Sequence, residues 1–252
     1  MSRPFLLVQL SDPHIGAEWA EGDPVAGLAA AVASVRALGA IDAVLVSGDL
    51  ADHATDEEYE GVKELLAPLD APVHVLGGNH DDRGALRRHF GLPGSGVEPV
   101  QYSVALGQLR LVVLDTTRPG EDPGELDAGR LAWLDAELAA APDSPTIVAM
   151  HHPPVLTGAP AWDELGLPRD DRLALGDVLR RHPQVLRLVA GHVHRAMTAE
   201  LGGRPVLTVP STYVQARLSF DARELELTPE PAGFGVHAVV DGGLTSHVEP
   251  VR

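Results

Sequence analysis

At residues 185–194 the chain reads VLRLVAGHVH, a short apolar run that ends in a glycine and two histidines. A continuous apolar run of this length, bounded by polar residues, is typical of a buried β-strand. The chain is expected to turn after Gly191, so the rings of His192 and His194 can both reach into one site at the strand end. A His-x-His pair alone is weak support for a metal site, because short motifs often match by chance.

Four other apolar runs of the chain end in the same kind of polar signature. The predicted strands end at Leu10, Val46, Leu76, Met150 and Ala190, and they are closely followed by Asp12-x-His14, Gly48-Asp49, Gly78-Asn79-His80-Asp81, His151-His152 and Gly191-His192-Val193-His194. Ligand sites of open α/β sheets form beyond the carboxyl ends of the strands. We therefore expect these side chains to share one rim and to form a two-metal centre.

The residue types suit a pair of divalent or trivalent ions. A mixture of imidazole, carboxylate and amide ligands favours Mn, Fe or Zn, whereas a pure Mg or Ca site would hardly need so much imidazole. A carboxylate such as Asp49 can bridge two ions, which then lie about 3.5–4 Å apart. The chain has no cysteine, so thiolate ligands and disulfides are excluded.

The net charge and the first apolar run restrict the expected class of protein and its location. The chain has 19 Lys and Arg against 36 Asp and Glu, a net charge of −17 that opposes binding to a polyanion such as DNA. We expect a protein that acts on small molecules, with any substrate phosphate met by metal ions rather than by a basic surface. The first apolar run is too short for a signal peptide or a membrane span, which predicts no membrane association and a cytoplasmic location.

The hydrophobic pattern predicts an α/β fold. Strands predicted at Phe5–Leu10, Asp42–Val46 and Val73–Leu76 alternate with helices that begin at Asp23-Pro24 and Asp56, an order typical of parallel βαβ units. Later segments predict a hairpin at Gly107, a helix at Leu173–Arg181, and mostly antiparallel strands after Thr198, among them a segment around Val214–Phe220 and a hairpin at Gly242-Gly243. We expect one domain, residues 1–252, whose residues from about 221 to 252 form a β-rich C-terminal segment. Its two mixed sheets should pack together with helices outside.

The motifs together resemble those of the calcineurin-like metallophosphoesterases. That family's pattern of Asp-x-His, Gly-Asp, Gly-Asn-His-Asp/Glu, His and Gly-His-x-His is met in order between Asp12 and His194. The stretches SGDLAD at 47–52, GNHDDR at 78–83 and HHPP at 151–154 are similar to those of the class III cyclic-nucleotide phosphodiesterases. The resemblance fades after about Phe220, and it implies the family's fold, a four-layer sandwich of two sheets flanked by helices.

The resemblance also implies roles for individual residues. The first metal would be bound by Asp12, His14 and His194, the second by Asn79, His151 and His192, and both by Asp49. In this family the histidine matching His80 is not a ligand but faces the leaving group, and Asp81 is expected to orient it. A histidine beside a metal ligand and next to a carboxylate is also placed to donate a proton.

The remaining polar residues have competing interpretations. We expect His152 to pack against the ligands rather than bind metal, and His237 and His247 to lie in an exposed hairpin. Arg83 could meet a substrate phosphate or pair with a nearby acid. Asp52 is interpreted as part of a solvated helix start.

The function expected from these observations is hydrolysis of a small phosphodiester, with a 3′,5′-cyclic nucleotide such as cAMP as the first choice, by in-line attack of a metal-bridging hydroxide. A glycerophosphodiesterase or a nucleotide-lipid pyrophosphatase of the same family is the alternative. A non-catalytic scaffold protein with the same fold is the alternative from a different functional class. Whether the protein forms a homodimer is left open. A macromolecular nuclease is opposed by the acidic charge.

Overall fold

A computed structural model describes residues 3–252 and contains thirteen strands and six helices within them. The strands are β1 (Phe5–Leu10), β2 (Ala43–Ser47), β3 (Val73–Leu76), β4 (Tyr102–Leu106), β5 (Leu109–Val113), β6 (Thr146–Ala149), β7 (Val185–Ala190), β8 (Met197–Leu201), β9 (Arg204–Thr208), β10 (Gln215–Ala216), β11 (Leu227–Thr228), β12 (Gly233–Val240) and β13 (Gly243–Pro250). The helices are α1 (Pro24–Ala37), α2 (Asp56–Leu66), α3 (Arg83–Phe90), α4 (Ala128–Ala139), α5 (Pro160–Asp163) and α6 (Arg169–Arg181).

The first sheet has five strands in the order β13-β12-β1-β2-β3. Strands β1, β2 and β3 are parallel, as the alternation of strands and helices predicts, and α1 and α2 are their crossovers. Helix α1 begins as expected: the Asp23 carboxylate accepts from the backbone N–H groups of Val25 and Ala26, and Pro24 occupies the first helical position. The C-terminal strand β12 returns to pair antiparallel with β1.

The second sheet has six strands in the order β4-β5-β6-β7-β9-β8. Its strands β5, β6, β7 and β9 are parallel, whereas β4 and β8 are antiparallel to their neighbours at the two edges. The predicted hairpin at Gly107 joins β4 to β5. The carboxyl ends of β6 and β7 thus point the same way, which brings the segments after both strands to one edge.

Three layers of apolar side chains hold the sheets and helices together. Leu7 and Leu45 of the first sheet pack against Leu111 and Ile147 of the second. The outer face of the first sheet packs against α1, α2 and α3, and that of the second against α4 and α6. Alternate residues of a strand face opposite sides, so β1 contributes Leu7 to the middle layer and Val8 to an outer one. The predicted fold, two mixed sheets with helices outside, is confirmed.

Several boundaries differ from the predicted ones. Helix α6 begins one turn before Leu173, because Asp170 and Asp171 extend it at the end where acidic residues are favourable. The segment around Val214–Phe220 is a strand only at Gln215–Ala216, which pairs with the unpredicted β11. The last hairpin turns at Asp241-Gly242, both with positive φ, rather than at Gly242-Gly243.

A helix with the length and apolar character needed to cross a bilayer is not found among residues 3–252. The assignment of residues 1–252 to one domain stays a prediction.

Candidate metal centre

The predicted site residues converge where the carboxyl ends of both sheets meet. Each lies in the segment that follows one of five parallel strands, β1, β2, β3, β6 and β7, as expected. Six of the seven candidate ligands are buried, and Asn79 is half-buried. Four groups of His and Asp side chains lie close enough to share an ion, and two of these groups consist of candidate ligands alone: Asp12, His14 and His194, and Asp12, Asp49 and His151.

Five of the candidate ligands have a strained backbone. Asp12, His14, Asp49, His192 and His194 have φ angles of 50°, 46°, 49°, 71° and 47°. A non-glycine residue in this left-handed region costs of order 1–3 kcal/mol, and such residues concentrate at functional sites. The backbone N–H groups of Asp12 and His14 donate to the carbonyls of Gly48 and Asp49, at 3.2 and 2.9 Å, which holds these two turns together.

Two glycines of the motifs are required because neighbouring turns lie too close to leave room for a side chain. A Cβ at Gly48 would collide with the ring of His151, and a Cβ at Gly191 would collide with Ser11 and with the backbone of Ser47. Gly48 also has a φ of 96°, which a residue with a side chain rarely adopts. Because both glycines lack a side chain, the turns after β2 and β7 can lie against the turns after β6 and β1.

Ring nitrogens and carboxylate oxygens face one another at the centre of the site. His14 Nε2 lies 3.1 Å from His194 Nε2, and His151 Nε2 lies 3.1 Å from the side-chain oxygen of Asn79. Asp49 Oδ2 lies between the two groups, 3.5 Å from His14 Nε2 and 3.2 Å from His151 Nε2. This is the arrangement expected of a carboxylate shared by two ions.

Hydrogen bonds behind the rings orient them. His14 Nδ1 donates to Asp52 Oδ1 at 3.0 Å, His151 Nδ1 to the Ser47 carbonyl at 3.0 Å, and His194 Nδ1 to the Val214 carbonyl at 2.9 Å. Carboxylates and carbonyls of this kind typically hold metal-binding histidines. They also leave an acceptor lone pair on each Nε2 of the neutral rings.

The donor set fits a pair of metal ions. Lone pairs of His14 Nε2 and His194 Nε2 face each other, and that of His151 Nε2 faces oxygen acceptors, so each contact is repulsive unless a cation or a proton lies between the atoms. Within residues 3–252, the buried His192 Nε2 also has no hydrogen-bond partner. Buried carboxylates and imidazoles of this kind suit divalent ions.

Burial and charge pull the pKa values of the histidines in opposite directions. Burial acts to lower the pKa of His151, but the Asp49 and Asp12 carboxylates and the Ser47 carbonyl together outweigh it and raise that pKa to about 9. Burial lowers the pKa of His194 to about 4 and holds that of His192 well below its ordinary value. For Asp49, burial acts to raise the pKa, but the adjacent His151 holds it well below its usual range.

The predicted contact between Asp81 and His80 is wrong. No hydrogen bond or ion pair joins their side chains in the part of the chain that the structure describes. The Asp81 carboxylate instead accepts from the backbone N–H groups of Gly78, Leu50 and Ala51, because it points back into the turns after β2 and β3. Burial and the Asp49 charge raise its pKa to about 6.

The ring of His80 contacts Asp52 rather than Asp81, a contact that the sequence did not predict. His80 Nδ1 donates to the Asp52 carbonyl at 3.1 Å and lies 3.3 Å from its carboxylate, which also accepts from His14 and from Trp19 Nε1. The Asp52 side chain is 5% exposed, so its interpretation as a solvated helix start is wrong. In the sequence, only its position three residues after Asp49, before the helix begins, indicates that Asp52 lies near the site.

The structure also shows where four other polar residues lie. Both ring nitrogens of His152 are engaged, with Thr116 Oγ1 and with the Asp122 carbonyl at 2.9 Å each, which leaves none for a metal. Arg83 is buried and pairs with Asp115 at 2.9 Å, so of its two interpretations the ion pair applies. His237 is not exposed as predicted: it is fully buried and contacts Gln9 and Ser246, because β12 is an inner strand of the first sheet. His247, on β13, is exposed.

Comparison with known proteins agrees with the motifs. The family model for calcineurin-like phosphoesterases matches residues 5–196. The chain belongs to this family. The phosphoesterase is 36% identical, over 82% of its length and 77% of the relative's, to a probable glycerophosphodiester phosphodiesterase of Arcobacter nitrofigilis. It is 34% identical, over 83% and 77%, to a 3′,5′-cyclic adenosine monophosphate phosphodiesterase of Pseudomonas aeruginosa.

A solved structure supports the fold independently. A dimetal phosphatase from Danio rerio superposes over 100% of both chains with a TM-score of 0.72, at 18% identity. The predicted family and the predicted class, a metal-dependent phosphoric diester hydrolase, are confirmed. The family and the His/Asp clusters support a dimetal centre in the phosphoesterase.

Proposed function

We propose that this phosphoesterase hydrolyses a 3′,5′-cyclic nucleotide. The observation that carries the proposal is the convergence of the seven candidate ligands at one edge of the two sheets, where Asp49 Oδ2 lies 3.5 Å from His14 Nε2 and 3.2 Å from His151 Nε2 and His80 lines an open cleft. A relative named as a cyclic adenosine monophosphate phosphodiesterase supports the choice of substrate.

In this proposal Asp12, His14 and His194 hold one ion and Asn79, His151 and His192 the other, with Asp49 shared. Two bound ions would lower the pKa of water and neutralise charge on the phosphate. We propose Mn, Fe or Zn, because imidazole makes up much of the donor set and the chain has no thiolate.

His80 is proposed as the general acid for the leaving oxygen. Its ring lines the cleft and is about one-third exposed. Because Nδ1 donates to the Asp52 carbonyl, Nε2 is the atom that faces the leaving group, and it gives its proton to the leaving alkoxide from the imidazolium form, in which both ring nitrogens carry a proton. Asp52 holds the ring in this orientation, the role first expected of Asp81.

A glycerophosphodiester is the second candidate substrate, favoured by the 36% identity to a probable glycerophosphodiester phosphodiesterase. A nucleotide-lipid pyrophosphatase stays an alternative, with no specific observation in its favour. Localisation in the cytoplasm and a homodimer stay predictions.

The experiment is a substrate panel on metal-loaded protein. It compares kcat/KM for cyclic AMP, glycerophosphocholine, a nucleotide-lipid diphosphate and a phosphomonoester. The proposal expects cyclic AMP to have the highest value. A higher value for glycerophosphocholine would transfer the assignment to the second candidate. Purified protein that retains no metal and has no activity after loading would support the scaffold interpretation.

A further inference from the structure

The cleft at the candidate metal centre is lined by polar and by apolar side chains. It has a volume of about 310 Å³, and several of its lining side chains are candidate metal ligands, with His80 beside them. Five further lining side chains are apolar or aromatic, and together they are called the apolar wall: Trp19, Trp162, Leu165, Leu225 and Leu227. Three different parts of the chain supply this apolar wall, although none of them contributes a candidate metal ligand.

Three of the five side chains of the apolar wall face solvent to an extent that packing alone does not explain. Trp19 is 44% exposed, and Leu225 and Leu227 are each 43% exposed. Single exposed apolar residues are ordinary, but a contiguous group at the mouth of a polar site is typical of ligand binding. The apolar wall is therefore available to a part of the substrate other than its phosphate.

Trp19 is held in one orientation. Its Nε1 donates to Asp52 Oδ1 at 2.9 Å, and its ring packs edge-on against His14 and Tyr213, with ring centres 5.2 and 5.3 Å apart. The indole is thus positioned before a ligand arrives, which lowers the entropy lost on binding.

The two leucines are positioned by the small sheet of β10 and β11. Gln215 pairs with Thr228 and Ala216 with Leu227, and the backbone N–H of Arg217 donates to the Glu226 carbonyl at 2.7 Å. Arg195, in the segment after β7, contacts this sheet: its guanidinium donates to the Ala216 carbonyl at 2.6 Å. Leu227 therefore lies on a braced element, with Leu225 two residues before it, and both leucines line the same cleft as the candidate metal ligands.

Charge selects against a second phosphate at the apolar wall. Among the cleft-lining residues within 3–252 there is no lysine or arginine, whereas Asp122, whose Oδ1 lies 3.5 Å from Asn79 Nδ2, adds a carboxylate. A phosphate on the organic part of the substrate would meet this carboxylate without a cation to pair with. The group that fits carries no phosphate and is apolar on its faces.

From these observations we propose that the apolar wall binds the base of a nucleotide substrate, with the base packed against Trp19, Leu225 and Leu227 while the phosphate lies at the metal-binding side chains. The inference rests on the proposed function and narrows it, because a base is an uncharged flat ring of suitable size. Glycerol, the alternative organic part, has no apolar face to bury.

The test uses two substrates with the same leaving group. Thymidine 5′-(4-nitrophenyl) phosphate carries a base, and the same ester of 1,2-dideoxyribose does not. The expected ratio of their kcat/KM values is about 5- to 100-fold in favour of the base, the range that base–side-chain stacking gives. In the double variant Leu225→Ala, Leu227→Ala, most of this ratio should be lost through a higher KM for the thymidine ester.

Leu38→Ala is the matched control, because Leu38 is also 43% exposed but lies at the end of α1, outside the cleft. It should keep the wild-type ratio. Trp19→Phe should keep more of the ratio than Trp19→Ala, since it retains an aromatic face. A wild-type ratio near one, or a ratio unchanged in the double leucine variant, would overturn the inference.

The two proposals fail in different ways. If cyclic AMP is not hydrolysed but the thymidine ester is preferred, the substrate assignment fails and the base-binding wall stands. If cyclic AMP is hydrolysed and neither ester is preferred, the wall is wrong and the assignment stands.

Discussion

The Asp49 side chain lies between two groups of histidines, and this position has a direct consequence for metal content. Its Oδ2 atom approaches His14 Nε2 and His151 Nε2 within 3.5 and 3.2 Å. We predict that Asp49→Ala loses both ions rather than one, because each group loses the same oxygen. Elemental analysis of the purified variant measures this. Asp135→Ala, a change on α4, should retain both ions, and an Asp49 variant with full metal would refute the bridging assignment.

His80 should serve the chemical step rather than metal retention. We predict that His80→Ala keeps two ions and lowers kcat for a cyclic nucleotide by about 10²–10⁴-fold, the usual contribution of a general acid. For a nitrophenyl diester, whose leaving group needs no proton, the loss should be much smaller. Steady-state kinetics on both substrates decide the point. Equal losses would assign His80 to positioning the phosphate.

The Asp52 carboxylate is shared by His14, Trp19 and His80, so its removal should weaken the site indirectly. We predict that Asp52→Ala lowers the affinity for the ion bound by His14 by about 10–100-fold, as is typical when the partner of a metal-binding histidine is lost. Titration of metal-free protein with Mn²⁺ measures the change. Asp56→Ala, an exposed change at the start of α2, should have no such effect. Unchanged affinity in the Asp52 variant would leave the carboxylate without a role in metal binding.

At the scale of elements, β12 connects the C-terminal segment to the strand that precedes Asp12. Its buried His237 contacts Gln9 on β1 at 3.1 Å and Ser246 on β13 at 2.7 Å. We predict that His237→Ala keeps the metal stoichiometry but lowers the free energy of unfolding by about 1–3 kcal/mol, because buried polar partners lose their hydrogen bonds.

Chemical denaturation and elemental analysis of the same His237→Ala preparation test both parts. His247→Ala, on the exposed face of β13, is the control and should change neither quantity. Loss of an ion in either variant would mean that the C-terminal segment does supply a ligand.

For the whole molecule, metal binding and protonation compete. Burial lowers the pKa of His151, but the carboxylates around it raise it to about 9, above its unfolded value. In the metal-free protein this proton stabilises the fold fully below pH about 6.5, and its contribution is lost as pH rises through about 9. A metal ion must displace the same proton.

We therefore predict that metal affinity rises with pH between about 6.5 and 9 and that binding at pH 7 releases protons. Calorimetric titration in buffers of different ionisation enthalpy counts the protons released. Affinity that is constant over this range would show that His151 is already neutral in the metal-free protein.

The local sequence determined the strands, the turns at their ends and the residues that the turns carry, because each motif lies within a few residues of its own strand. Parallel pairing then brings five strand ends to one edge, so the ligand cluster could be predicted from the sequence as well. Only the tertiary structure decided the roles of Asp52, Asp81 and His237. Their partners lie in other elements, and a carboxylate or an imidazole adopts its role from the donors and acceptors that packing places around it. The apolar wall is likewise assembled from distant segments, whose exposed leucines and tryptophan have no shared pattern in the sequence.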